Sequence, residues 1–107
     1  MKNEIVVIGG GESGVGAAFL AKKNGINVFL SERNIIENKF KKVLKENNIG
    51  YEEGGHTLSK FLNANEIIKS PGIPENIELL NKVKSKKIPI ISEIEFAFRF
   101  TDSNIIS

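Results

Sequence analysis

Four consecutive apolar residues, Ile5, Val6, Val7 and Ile8, run straight into Gly9-Gly10-Gly11-Glu12-Ser13-Gly14. An unbroken apolar run, rather than an alternating one, marks a strand covered on both faces, the situation of a parallel sheet. The glycines at 9, 11 and 14 fit G-x-G-x-x-G, in which small residues let the backbone turn sharply, approach a phosphate and pack a helix onto the strand. The helix that follows would direct free N–H groups and its positive dipole end at an anion. A carboxylate beside a diphosphate repels it, so the Glu12 side chain is expected to point outward while backbone amides do the binding. A tight strand-to-helix turn with no ligand satisfies the same spacing.

The rest of the chain alternates in the same way. Val15, Ala18 and Phe19 fall at helical spacing over residues 14–24, and Gly25 stands as a stop. Val28-Phe29-Leu30 reads as a second strand ending at Ser31-Glu32-Arg33, and Ile36, Phe40, Val43 and Leu44 form one apolar helical stripe. A short strand near Tyr51 leads to Gly54-Gly55-His56-Thr57, with Thr57 as N-cap of a helix carrying Leu58, Phe61 and Leu62. Glu66-Ile67-Ile68-Lys69 is a fourth strand, and it enters Ser70-Pro71-Gly72-Ile73-Pro74. Pro71 makes Ser70 extended and Gly72 can take positive φ, which gives a rigid loop. A helix over residues 75–86, a fifth strand at Pro89-Ile90-Ile91 and a final helix capped by Ser92 with Glu95 three residues on complete the series. Strands alternating with helices predict an α/β, Rossmann-like parallel sheet of about five strands with helices on both faces. Phe96, Phe98 and Phe100 cannot all share one side of a helix, so at least one faces solvent or another domain.

At 107 residues with 40% hydrophobic content, one core is the expectation. Residues 1–103 read as that domain. Asn104-Ile105-Ile106-Ser107, with its apolar pair Ile105-Ile106, reads as the start of a following domain, with the chain cut from a longer protein. A net charge of +2, with lysines interleaved with acids, makes no basic stripe, so no nucleic-acid partner is expected. The absence of cysteine excludes disulfides and thiolate metal sites. No apolar run approaches the roughly 18 residues of a membrane span and no signal region precedes the first strand, so a cytoplasmic location with no membrane partner is expected.

Ligands of such sheets sit beyond the carboxyl ends of the strands, near the point where strand order reverses. The glycine turn, the Ser31-Glu32-Arg33 tip and the Ser70-Pro71-Gly72 loop are expected to meet there. Glu32 lies 18 positions after Gly14, close to the offset at which an acid accepts a ribose hydroxyl. It could equally accept N–H groups of a base such as uracil. His56, the only histidine, has no acid or nucleophile paired with it by motif and is read as part of a turn, and no catalytic residue is assigned.

Four stretches taken in order, Gly9-Gly-Gly-Glu-Ser-Gly-Val-Gly16, Glu53-Gly-Gly-His-Thr57, Lys69-Ser-Pro-Gly-Ile-Pro74 and Ser92-Glu-Ile-Glu-Phe96, resemble the N-terminal domain of the Mur ligase family that adds D-glutamate to UDP-N-acetylmuramoyl-L-alanine. The resemblance covers nearly the whole chain, and its last two stretches are the more specific. It implies UDP binding by Gly11, Glu12, Ser13 and Gly14 around the diphosphate, with Glu32 in place of the family's usual aspartate beside uracil. Arg33 is a neighbour of that position, and Ser70, Pro71 and Gly72 line the other side. It further implies UDP-N-acetylmuramoyl-L-alanine as partner, central and C-terminal domains beyond this chain, and ATP and magnesium bound there, with no cofactor held by these residues. Two other readings fit the glycine turn and Glu32: an NAD- or FAD-binding domain of an oxidoreductase, and a nucleotide-sensing regulatory module.

Overall fold

The computed structural model describes residues 4–100; the expected start of a further domain at residues 104–107 lies outside them. Ten elements alternate in the anticipated order: β1 (Glu4–Ile8), α1 (Glu12–Lys23), β2 (Asn27–Glu32), α2 (Asn38–Glu46), β3 (Gly50–Glu53), α3 (Leu58–Leu62), β4 (Glu66–Lys69), α4 (Glu78–Ser85), β5 (Ile90–Ser92) and α5 (Glu93–Phe98).

The five strands form one sheet in the order β3-β2-β1-β4-β5, and every neighbouring pair is parallel. The chain therefore builds outward from β1 through β2 to β3, crosses back, and builds outward on the other side through β4 and β5. The reversal falls between β1 and β4, where Ile5 is in register with Glu66 and Ile8 with Lys69.

β1 is apolar on both faces because both are covered. Ile5 and Val7 join Val15, Ala18 and Ala21 of α1, Leu44 of α2 and Phe96 of α5 in one core. Val6 and Ile8 join Phe61 of α3 and Leu80 and Val83 of α4 in the other. Each fully buried branched side chain contributes roughly 1.5–3 kcal/mol of transfer free energy, so the doubly covered central strand is where the sheet is most strongly held. Helices on both faces are thus observed, α1, α2 and α5 against α3 and α4.

Local signals explain most boundaries. Gly25 leaves α1 at φ 77°, the left-handed conformation in which glycine has no Cβ penalty. The Ser92 hydroxyl accepts the Glu95 amide at 3.1 Å while Glu95 Oε1 accepts the Ser92 amide at 3.3 Å, the reciprocal cap expected of S-x-x-E. Three details differ from expectation. Thr57 stands at the N-cap of α3, but its hydroxyl does not cap the helix; it donates to Glu52 Oε1 at 2.6 Å, a carboxylate being the stronger acceptor. Gly72 is not among the positive-φ glycines; its loop closes instead by the Ile73 amide donating to the Ser70 carbonyl at 3.1 Å. The fourth helix begins at Glu78, three residues later than the apolar spacing indicates, because Pro74, Glu75 and Asn76 continue the loop. Of the three phenylalanines, Phe96 is buried and Phe98 is 67% exposed, while Phe100 sets its ring edge-on to Phe96 at 5.0 Å.

Candidate functional site at the strand-order reversal

The carboxyl ends of β1, β2 and β4 surround a cavity of about 350 Å³, within the size range of small-molecule sites. Its floor is the glycine turn. Gly9 adopts φ 118°, and a Cβ there would stand 2.7 Å from Ser70 Cβ. A Cβ on Gly14 would stand 1.9 Å from the Gly9 carbonyl oxygen, whereas one on Gly11 would meet nothing within 4 Å. The three glycines thus divide the labour: one makes the turn, one leaves an open approach to the backbone, and one lets α1 lie against β1. Gly11 precedes α1 as its N-cap in extended backbone, with no side chain capping the helix, so the first-turn amides are left for another acceptor.

Glu32 ends β2 and reaches back to this floor. Its Oε1 accepts the Gly10 amide at 2.5 Å and its Oε2 accepts the Asn34 amide at 2.9 Å. The carboxylate ties the glycine turn to the tip that follows β2. Arg33, next along, is exposed at the cavity wall and makes no ion pair among the described residues.

The opposite wall is the loop after β4. Lys69 Nζ donates to the carbonyls of Ser70 at 3.2 Å and Ile73 at 2.7 Å, so this ammonium stiffens the loop from inside. Ile73, Pro74 and Ile77 give that wall an apolar surface.

Of the residues expected at the site, Gly11, Glu32, Arg33, Ser70 and Gly72 line the cavity. Ser13 is not part of the lining, but its Oγ lies 3.4 Å from Oγ of Ser70, which is. Glu12 is exposed on the first turn of α1, Gly14 is buried beneath the turn and Pro71 is exposed on its loop. The cavity also takes in Asn34 and His56, which motif spacing does not bring there. His56 comes in through Ser31, a fully buried serine whose position opposite Glu52 is set by the β2–β3 register. A lone serine closing the apolar run Val28-Phe29-Leu30 was the available signal. Burial pushes the His56 imidazole below its ordinary value, with Arg33 adding to that and Glu52 and Glu32 opposing it. Burial raises the Glu52 carboxyl, but hydrogen bonds from Thr57 and Ser31 outweigh it and hold the group below the usual carboxylate value.

A parallel sheet reversing at β1 and β4, with a glycine turn and a walled cavity at the reversal, is the Rossmann-like architecture of the Mur ligase domains. A murein peptide ligase from Psychrobacter arcticus superposes with a TM-score of 0.82 over 92% of this chain and 20% of its own, at 17% identity. A pseudomurein peptide ligase type C from Methanothermus fervidus does so with 0.78 over 94% and 21%, at 29% identity. Within that class the chain belongs to the MurD N-terminal domain family, whose model matches residues 4–79. It is 51% identical to the UDP-N-acetylmuramoylalanine–D-glutamate ligase of Bacteroides thetaiotaomicron over 95% of its length. It spans only 23% of that protein.

Proposed function

We propose that this chain binds the UDP part of UDP-N-acetylmuramoyl-L-alanine, as the N-terminal domain of an ATP-dependent ligase that adds D-glutamate in peptidoglycan precursor synthesis. The carrying observation is the cavity at the reversal point, with an uncapped helix start, an open Gly11 and an unpaired Arg33 around it, in a chain half identical to a ligase named for a UDP-linked substrate. Backbone amides of residues 11–14 and the Ser13 hydroxyl take the diphosphate, and the Arg33 charge complements it. Glu32 and Arg33 flank the base, and Ser70, Pro71 and Gly72 close the other side.

Amide formation at a carboxylate through an acyl phosphate needs ATP and magnesium, and the P-loop form of that device requires a G-x-x-x-x-G-K-[ST] stretch. G-x-x-x-x-G-K-[ST] occurs nowhere in this sequence, and among the described residues no group of three metal-ligating side chains comes together. We assign ATP, magnesium and D-glutamate to the remainder of the longer protein. The role of these residues is to bind and position.

An amide NMR titration tests the reading. Millimolar UDP is expected to shift Gly11, Ser13, Glu32 and Gly72. Shifts with NADH and none with UDP would overturn it in favour of an oxidoreductase-type domain.

A further inference from the structure

His56 lines the cavity, and the bonds around its ring determine what that ring can accept or donate. The Glu52 carboxylate can only accept, and it takes three donors: the Thr57 amide at 2.8 Å, the Thr57 hydroxyl at 2.6 Å and the Ser31 hydroxyl at 2.7 Å. Ser31 has one hydroxyl proton, and it is directed at Glu52. Towards His56 Nδ1, 2.6 Å away, the Ser31 oxygen can therefore only accept. The ring proton sits on Nδ1, which leaves Nε2 of the neutral ring with a bare lone pair. Phe61 of α3 stands edge-on to the ring at 5.5 Å and 80° and contributes no charge. Nε2 makes no hydrogen bond among the described residues, and the ring lines the cavity beside Glu32 and Arg33. Glu32, the other acceptor at this end, receives the Gly10 and Asn34 amides, one on each oxygen, and is committed to holding those two loops while Nε2 carries no such duty.

We propose that His56 Nε2 accepts the imide N–H of a uracil base in this cavity and thereby selects uridine over cytidine nucleotides. The assignment rests on the uridine reading above. Uracil presents a donor at ring position 3, whereas cytosine presents a lone pair there, so a cytosine in the same pose would set acceptor against acceptor. Glu32 is on this assignment a positioning residue that holds the glycine turn, and His56 touches the base. Burial favours the neutral imidazole; Glu52 on β3, Glu32 at the end of β2 and Arg33 after it are the charged groups that bear on it.

The test is a calorimetric titration of UDP and CDP into the wild-type chain, His56→Phe and His56→Gln, at a pH above the ordinary imidazole pKa of 6.5 and at one below the lowered value that His56 has in the fold. The wild type is expected to favour UDP by about tenfold or more, the factor attached to leaving one acceptor facing another. His56→Phe brings the ratio close to one. His56→Gln, whose amide oxygen can reach the place of Nε2, retains part of it. Below the lowered folded pKa of His56 the preference shrinks, because the imidazolium donates where the neutral ring accepts. Imidazole nitrogen NMR of the wild type, which needs no variant to fold, is expected to show Nε2 as the unprotonated nitrogen. Tight UDP binding with an unchanged ratio in His56→Phe, or a proton on Nε2, overturns the His56 assignment alone. No UDP binding by the wild type overturns the uridine reading together with it.

Discussion

The Glu32 carboxylate, at the end of β2, holds the amide of Gly10, in the turn after β1, at 2.5 Å. Two loops that join different strands are thereby fixed to each other across the floor of the cavity, and the bond is charge-assisted. Glu32→Ala leaves the Gly10 and Asn34 amides without this acceptor. It is expected to cost about 1.5–3 kcal/mol of stability, the range for hydrogen bonds to a charged group, and to weaken UDP binding through a loosened turn. Urea unfolding and amide exchange at Gly10 check it; unchanged Gly10 exchange would show that the clamp is dispensable.

Gly11 and Gly14 separate binding from folding. Gly11→Val places its branch in open space and blocks only the approach of a phosphate, so the thermal transition is expected to stay while UDP binding is lost. Gly14→Ala drives a methyl group to within 1.9 Å of the Gly9 carbonyl oxygen, and is expected to cost at least the ~1–3 kcal/mol typical of overpacking. Calorimetry of both variants with and without UDP distinguishes the two roles.

His56 and Glu52 give stability a defined dependence on pH. The His56 pKa is lowered in the fold from its ordinary 6.5, so the folded state binds its proton less readily than the unfolded chain. Its contribution is complete above pH 6.5 and declines as pH falls from there through the lower folded value. Glu52, lowered from 4.5, contributes above pH 4.5 and loses that contribution as pH falls through its own folded value. Denaturant unfolding across this range is expected to show the first decline in the wild type and not in His56→Phe; identical profiles would contradict it.

Binding energy at the UDP end can position a substrate but cannot supply the charge stabilisation of phosphoryl transfer. Given ATP, magnesium, D-glutamate and UDP-N-acetylmuramoyl-L-alanine, the 107-residue chain is expected to release no phosphate above a protein-free control. Sustained, substrate-dependent release would place the chemistry within these residues.

The fold was legible because its signals are local. Apolar runs such as Ile5-Val6-Val7-Ile8, the glycine spacing, and Ser92 with Glu95 each carry their structural meaning within a few positions, and the structure uses them as read. What escaped depends on partners that only the sheet brings together. The acids at 52 and 53 carry no local signal of a role, yet Glu52 gathers Ser31 and Thr57, and Glu53 takes the Lys41 ammonium at 2.7 Å and the Ile36 amide at 2.8 Å. Thr57 has the residue type and position of a cap, and only the nearby carboxylate explains why its hydroxyl turns away from the helix. His56 reaches the cavity through a register between β2 and β3 that no spacing within one segment encodes.

The placement of β4 beside β1 has a consequence for how the protein is made. The glycine turn is translated some sixty residues before the wall that faces it, from Ser70 to Ile77. Until β4 inserts next to β1, one edge of the central strand keeps its backbone N–H and C=O groups without their ladder partners, and the cavity lacks its second wall. The cavity is therefore complete only once the second half of the sheet has joined the first, and any ligand held between the two walls would favour that joining by mass action.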